Sequence, residues 1–261
     1  MERNPILDSR VDEAVFFPRP DLPFSPPAPG SRDHFFEASD GARLRLRVFD
    51  GPDGSPAILF FHGNGETARD YDGAAADFAA IPARLLVAEY RGYGPCTGSP
   101  SMASLADDAH DCFDAALELL GDSASRPPLA VMGRSLGSAP AIELASSRGD
   151  ELAALAVESG FASTVPLLEL LGVPVRELGI GEEHGPRNAD KIARVQIPTL
   201  VMHAEQDRII PVEDGELLRD SAGDPQAGFL RVPGAGHNDI MLVASERYFS
   251  ALAELLKRAA R

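Results

Sequence analysis

The chain has 261 residues, 44% of them hydrophobic, and a formal net charge of −16 at pH 7. That is enough apolar material for one large α/β domain or two small ones, and it excludes global disorder. The charge argues against nucleic acid and anionic membrane surfaces as partners, because long-range repulsion opposes approach. The two cysteines, Cys96 and Cys112, have no companion at metal spacing. No zinc site and no disulfide framework are therefore expected, and no metal or organic cofactor is implied. No apolar run has the length of a signal-peptide core or a membrane span. A soluble, cytoplasmic protein without a membrane span is the expectation.

Residues 1–34 read as an extended, Pro-rich arm. Pro18, Pro20, Pro23, Pro26, Pro27 and Pro29 are incompatible with a helix interior. Phe16, Phe17 and Phe24 offer side chains with which such an arm can pack as a belt across the domain surface. Residues 35–261 read as one domain, and its first strand is expected at Phe35–Ala38. Ala42–Phe49 then alternates apolar and polar residues, the pattern of a half-exposed strand. Ala57–Phe61 is continuously apolar, as a central strand covered on both faces must be.

Strands and helices alternate from there. Helices are expected at Arg69–Ala80, Met102–Leu120, Ser138–Ala145, Val212–Asp220 and Glu246–Ala260. Strands are expected at Leu85–Tyr90, Pro128–Met132, Leu152–Val157, Thr199–His203 and Gly228–Val232. This rhythm predicts a mostly parallel eight-stranded sheet with helices on both faces. Cys112 falls on the apolar face of its helix, and Cys96 in a Gly-rich loop is expected to be partly exposed. The one long departure from the rhythm is Phe161 to Val195.

The most informative segment is Gly133-Arg134-Ser135-Leu136-Gly137, between an apolar strand and a helix. A G-x-S-x-G turn at such a junction is sharp, and it presents the serine hydroxyl at its tip. A serine hydroxyl is a weak nucleophile near neutral pH and needs a base, which in turn needs an orienting acid. Only His237, of six histidines, lies beyond the last predicted strand, in a Gly-rich loop. For the acid, Asp207 follows a strand and precedes Pro211; Glu205 and Glu158 are its rivals. Oxyanion N–H groups are available from Leu136, after the nucleophile, and from Asn64 in His62-Gly63-Asn64-Gly65. His62 reads as a structural member of that loop.

Together these segments resemble the α/β-hydrolase superfamily along roughly residues 35–260. The resemblance is strongest to the branch of eukaryotic protein depalmitoylases and related microbial hydrolases. The matching residues are His62-Gly63-Asn64-Gly65, Tyr90-Arg91-Gly92-Tyr93-Gly94, Gly98-Ser99-Pro100-Ser101, the elbow, Asp207–Pro211 and Gly236-His237-Asn238-Asp239. The resemblance implies a triad of Ser135, Asp207 and His237, with Asn64 and Leu136 as oxyanion donors. Three features depart from it: no membrane anchor, no Cys-rich N-terminus, and Glu66 near where relatives carry other polar residues.

In this fold the insertion after the sixth strand caps the serine. Here it is short, about residues 161–187, because Asn188–Ile192 reads as the return helix. Its start is apolar. Phe161, Val165 and Leu168, with Tyr93 at the mouth, are the expected substrate-binding residues. A short, partly apolar cap suits a small or medium acyl group, so an ester or thioester is the expected substrate. A peptidase of the same fold and a catalytically inactive binding protein are the rival expectations.

Overall fold

The structure is a computed structural model and describes residues 4–21, 28–122 and 125–259. Its eight strands are β1 (Ser31–Glu37), β2 (Arg43–Phe49), β3 (Ala57–Phe61), β4 (Arg84–Glu89), β5 (Leu129–Arg134), β6 (Ala154–Glu158), β7 (Thr199–Ala204) and β8 (Gly228–Val232). They form one sheet in the order β1-β2-β4-β3-β5-β6-β7-β8. β2 runs antiparallel to both β1 and β4, and every pairing from β4 through β8 is parallel.

Ten α-helices are found among the described residues. They are α1 (Ser9–Val15), α2 (Ala75–Ala80), α3 (Leu105–Leu120), α4 (Ser138–Ser147), α5 (Thr164–Leu170), α6 (Val175–Leu178), α7 (Asn188–Ile192), α8 (Val212–Ser221), α9 (Ile240–Val243) and α10 (Ser245–Ala259).

The period-2 side-chain alternation of a strand divides the core in two. In β3, Leu59 and Phe61 join Val131 of β5 in a cluster with α3 and α4. Ile58 and Phe60 point the other way and join Met132, Phe78 of α2, and Tyr248 and Leu252 of α10. A central strand buried on both faces reads as an apolar run for this reason. The chain crosses from β4 on one side of β3 to β5 on the other. The crevice beyond the carboxyl ends of these strands is therefore a topological switch point, where ligands bind in open α/β sheets.

Four expectations need correction. The first 34 residues are not wholly an extended arm: α1 lies within them and β1 starts at Ser31. Asp8 caps α1 by accepting from the Arg10 N–H at 3.0 Å, and Val11 and Val15 bury one face. Pro23, Phe24, Pro26 and Pro27 lie outside the described residues. β2 is not half-exposed, since Arg45 and Arg47 are fully buried. Their charge is met by Asp21, Asp33, Asp72 and Glu89, as buried cations require. Cys96 is buried, and burial pushes its thiol pKa far up. Finally, the helix expected at Arg69–Ala80 is split into a 3₁₀ turn at Ala68–Tyr71 and α2.

Candidate active site

Ser135 stands where β5 turns into α4, with a backbone φ of 51°. A non-glycine residue in this region is strained and persists only where its surroundings over-determine it. The two flanking glycines supply space. A Cβ on Gly133 would run into the carbonyl oxygen of Gly137, and one on Gly137 into that of Phe61. The turn is pinned further by the Ser138 hydroxyl, which donates to the Ser135 carbonyl at 2.7 Å.

The loop after β8 carries His237 back over the sheet. Its Nε2 lies 2.9 Å from Ser135 Oγ and its Nδ1 lies 2.7 Å from Asp207 Oδ2. The other carboxylate oxygen of Asp207 accepts the N–H groups of Ile209 and Ile210, both at 2.9 Å. Burial alone would raise the Asp207 pKa. The hydrogen bond and charge of His237, with those two N–H groups, outweigh it and hold the carboxyl below its ordinary range. An ionised carboxylate only accepts, so Nδ1 carries the proton and Nε2 is left free to accept from the serine hydroxyl.

The rival acids are engaged elsewhere. Glu158 Oε1 accepts from Arg134 Nε at 3.1 Å and its Oε2 accepts from the Tyr248 hydroxyl at 2.7 Å. Glu205 faces Arg231 at the surface, 3.9 Å away. His62 is buried, with Nδ1 2.8 Å from the Gly63 carbonyl and Nε2 3.5 Å from Glu89.

Ser135, His237, Asn64 and Leu136 line one cavity of about 280 Å³. Leu167 and Leu171 contribute to its apolar wall. The Asn64 side chain is not free for a ligand. Its Oδ1 accepts from the Phe17 N–H at 2.9 Å and the Tyr93 hydroxyl at 2.7 Å, and its Nδ2 donates to the Val15 carbonyl. Any contact of Asn64 with a developing oxyanion therefore falls to its backbone N–H.

The four expected substrate-binding residues are placed differently. Tyr93 is fully buried, folded inward between Gly92 and Gly94, which both adopt positive φ. Leu168 is buried in the core, and Val165 packs against the same core. Their helix presents Leu167 to the cavity instead, with Leu171 just beyond its end; the two are four residues apart and so share one face. Phe161 lines a neighbouring cavity of about 220 Å³, which shares Leu167 and Ile209 with the first.

Two functional neighbours escaped the sequence reading. Arg134, the variable residue before the serine, is buried and donates from Nη2 to the His237 carbonyl at 2.8 Å and to Asn238 Oδ1 at 2.9 Å. His203 lies behind Asp207, its Nε2 2.9 Å from the Ile210 carbonyl and 3.5 Å from Asp207 Oδ2. Burial lowers its pKa, which favours a neutral ring. The first signal was the charge of Arg134 at the edge of an apolar strand; the second was a histidine four residues before the acid.

Comparison with known proteins agrees with this architecture. The sequence model of a family described as serine aminopeptidase, S33, matches residues 53–176. The uncharacterized protein Rv2307c of Mycobacterium tuberculosis is 34% identical over 240 residues, which is 87% of this chain and 82% of that protein. Protein bem46 of Schizosaccharomyces pombe is 29% identical over 212 residues, covering 79% of this chain and 69% of its own. Among solved structures, the Pyrococcus furiosus esterase Pf2001 superposes with a TM-score of 0.72 at 17% identity, over 92% of this chain and 98% of that one. No helix among the described residues is long and apolar enough to cross a membrane. With its sheet order, its strand-to-helix elbow and these relatives, the chain belongs to the α/β-hydrolase superfamily.

Proposed function

We propose that the protein is a serine hydrolase that cleaves a carboxylic ester or thioester through an acyl-enzyme on Ser135. The observation that carries this reading is the unbroken line Ser135 Oγ, His237 Nε2, His237 Nδ1, Asp207 Oδ2, with steps of 2.9 and 2.7 Å. Both steps are within the reach that proton transfer requires.

In this mechanism Ser135 Oγ attacks the acyl carbonyl carbon while His237 Nε2 takes its proton. Asp207 holds the imidazole in the right tautomer and stabilises the imidazolium that forms. The carbonyl oxygen becomes an oxyanion, met by the backbone N–H groups of Leu136 and Asn64. Collapse of the tetrahedral intermediate breaks the bond to the alcohol or thiol, which leaves with the proton from His237. Water, deprotonated by the same imidazole, then attacks the acyl-enzyme and frees the carboxylic acid and Ser135.

The wall of the cavity favours an acyl group over a peptide with a free amino terminus. Its charged lining residue is Arg134, and among the described residues none that lines it is acidic and able to receive an ammonium. Glu66, the nearest acid in the sequence of the oxyanion loop, is held by Arg134, by the Tyr71 hydroxyl and by the Gly63 N–H. A volume of about 280 Å³ lies at the small end of ligand pockets, which fits a small or medium acyl chain.

Hydrolysis of p-nitrophenyl butyrate by the wild-type protein, lost in Ser135→Ala, is the expected result. Equal turnover by the two proteins would end this reading.

A further inference from the structure

The cavity beside Ser135 is not closed by the sheet and the cap alone. Val15 and Phe17, more than a hundred residues earlier in the sequence, also line it. α1 ends at Val15, and Phe16 continues in extended conformation with φ −106° and ψ 128°. Successive side chains then point to opposite sides. Phe16 is buried in the core cluster, whereas Phe17 stands at the cavity with 57% of its surface exposed.

This segment is tied down along its length. The side chain of Asn64 reads both of its backbone polar groups, donating to the Val15 carbonyl and accepting from the Phe17 N–H at 2.9 Å. The Tyr93 hydroxyl lies 3.0 Å from the same Phe17 nitrogen. Upstream, the Asp12 carboxylate accepts the Met102 N–H at 2.7 Å, and Arg10 reaches Glu177 of α6 at 2.7 Å. Downstream, the Arg19 carbonyl accepts the Gly94 N–H at 2.8 Å, and Asp21 meets the buried Arg45 at 2.8 Å. One strap thus joins the cap, the oxyanion loop and the antiparallel edge of the sheet.

From these contacts we infer that the segment Asp8–Asp21 is a built-in wall of the acyl pocket, with Phe17 the side chain that sets the acyl length accepted. The inference rests on the hydrolase reading for its substrate class and adds to it the element that selects within that class. Asn64 has two separate tasks in this arrangement. Its side chain fixes the strap, while in the mechanism proposed above its backbone N–H is the group that meets the oxyanion. Acyl selection and oxyanion binding are thereby coupled through one residue.

Phe17 is largely exposed, so its truncation leaves the core intact. The test compares kcat/KM for p-nitrophenyl acetate, butyrate, octanoate and decanoate in wild type and Phe17→Ala. The expected result is an octanoate-to-butyrate ratio raised by about tenfold or more. An unmoved chain-length profile would overturn the inference.

A second measurement does not depend on turnover. The protein contains no tryptophan, so Phe17→Trp in a Ser135→Ala background places a single indole at the cavity. Titration with butanoate, octanoate and decanoate should give a saturable emission shift that strengthens with chain length. A silent indole at every chain length would also overturn the inference. The two readings separate cleanly. A protein inert to all esters whose indole still responds loses the hydrolase reading and keeps the wall. An active protein with an unmoved profile and a silent indole loses the wall alone.

Discussion

Arg134 Nη2 donates to the main-chain carbonyl of His237 at 2.8 Å, so the residue next to the serine in sequence holds the loop that carries the imidazole. The same guanidinium contacts Glu66 in the loop after β3 and Glu158 at the end of β6. The buried Tyr71 and Tyr248 hydroxyls donate to those two carboxylates, each at 2.7 Å. The carboxyl ends of three neighbouring strands and the His237 loop are thus fixed by one buried cation. The neighbouring carboxylates raise the Arg134 pKa further despite its burial, so the charge is permanent.

Arg134→Met should expose the cost of this arrangement. It leaves Glu66 and Glu158 without their cation, and losing one partner of a buried pair costs about 3–5 kcal/mol. Urea unfolding should show that loss. Adding Glu66→Gln and Glu158→Gln should recover most of the stability but not kcat, because the His237 carbonyl and Asn238 still lack the guanidinium that holds them. Full turnover in the triple variant would remove Arg134 from the positioning of the base.

Asp207 gives a pH-dependent signature. Its carboxyl titrates below the ordinary aspartate value because the bonds from His237, Ile209 and Ile210 outweigh burial. A depressed folded-state pKa contributes stability that is complete above the unfolded value of about 4 and is lost as the pH falls through the folded value. Thermal unfolding across the acid range should therefore fall more steeply in wild type than in Asp207→Asn. At neutral pH the same variant should fold yet lose kcat by about four orders of magnitude, through the wrong imidazole tautomer. Matching acid limbs would show that the folded protein does not depress this carboxyl.

Gly137 of the elbow and Gly149 after α4 offer a paired test of close packing. Gly137→Ala pushes a methyl against the carbonyl oxygens of Phe61 and His62, backbone that cannot step aside. A cost above about 4 kcal/mol is expected, seen as lost soluble yield or a lowered Tm. At Gly149 nothing lies within 4 Å of the added carbon, so Gly149→Ala should stay within about 0.5 kcal/mol of wild type. Similar melting of the two variants would contradict the close approach at the elbow.

The centre of the sheet was legible because its strands are buried on both faces. Ala57–Phe61 and Leu129–Met132 are apolar throughout, and the observed β3 and β5 follow those runs. Other features depend on tertiary context that local patterns do not carry. β2 alternates correctly, but only the assembled domain shows that Asp21, Asp33 and Asp72 cover its arginines. α1 was hidden by the prolines that follow it, although Asp8 with Val11 and Val15 carries a cap and a helical spacing. In the segment after β6, Val165, Leu167, Leu168 and Leu171 are all apolar. Periodicity therefore could not choose between the core face and the cavity face. Ser135, His237 and Asp207 were found by order along the chain, and the structure brings these three side chains together. Arg134 was passed over because a variable position in a motif carries no signal of its own.

If the protein is a serine hydrolase, Ser135 becomes acylated with His237 as its base. Intact-mass analysis after exposure to a fluorophosphonate, followed by peptide mapping, tests it most directly. One adduct per chain is expected, located on Ser135, absent in Ser135→Ala and formed far more slowly in His237→Ala. An adduct on another residue, or equal labelling rates in wild type and His237→Ala, would contradict it.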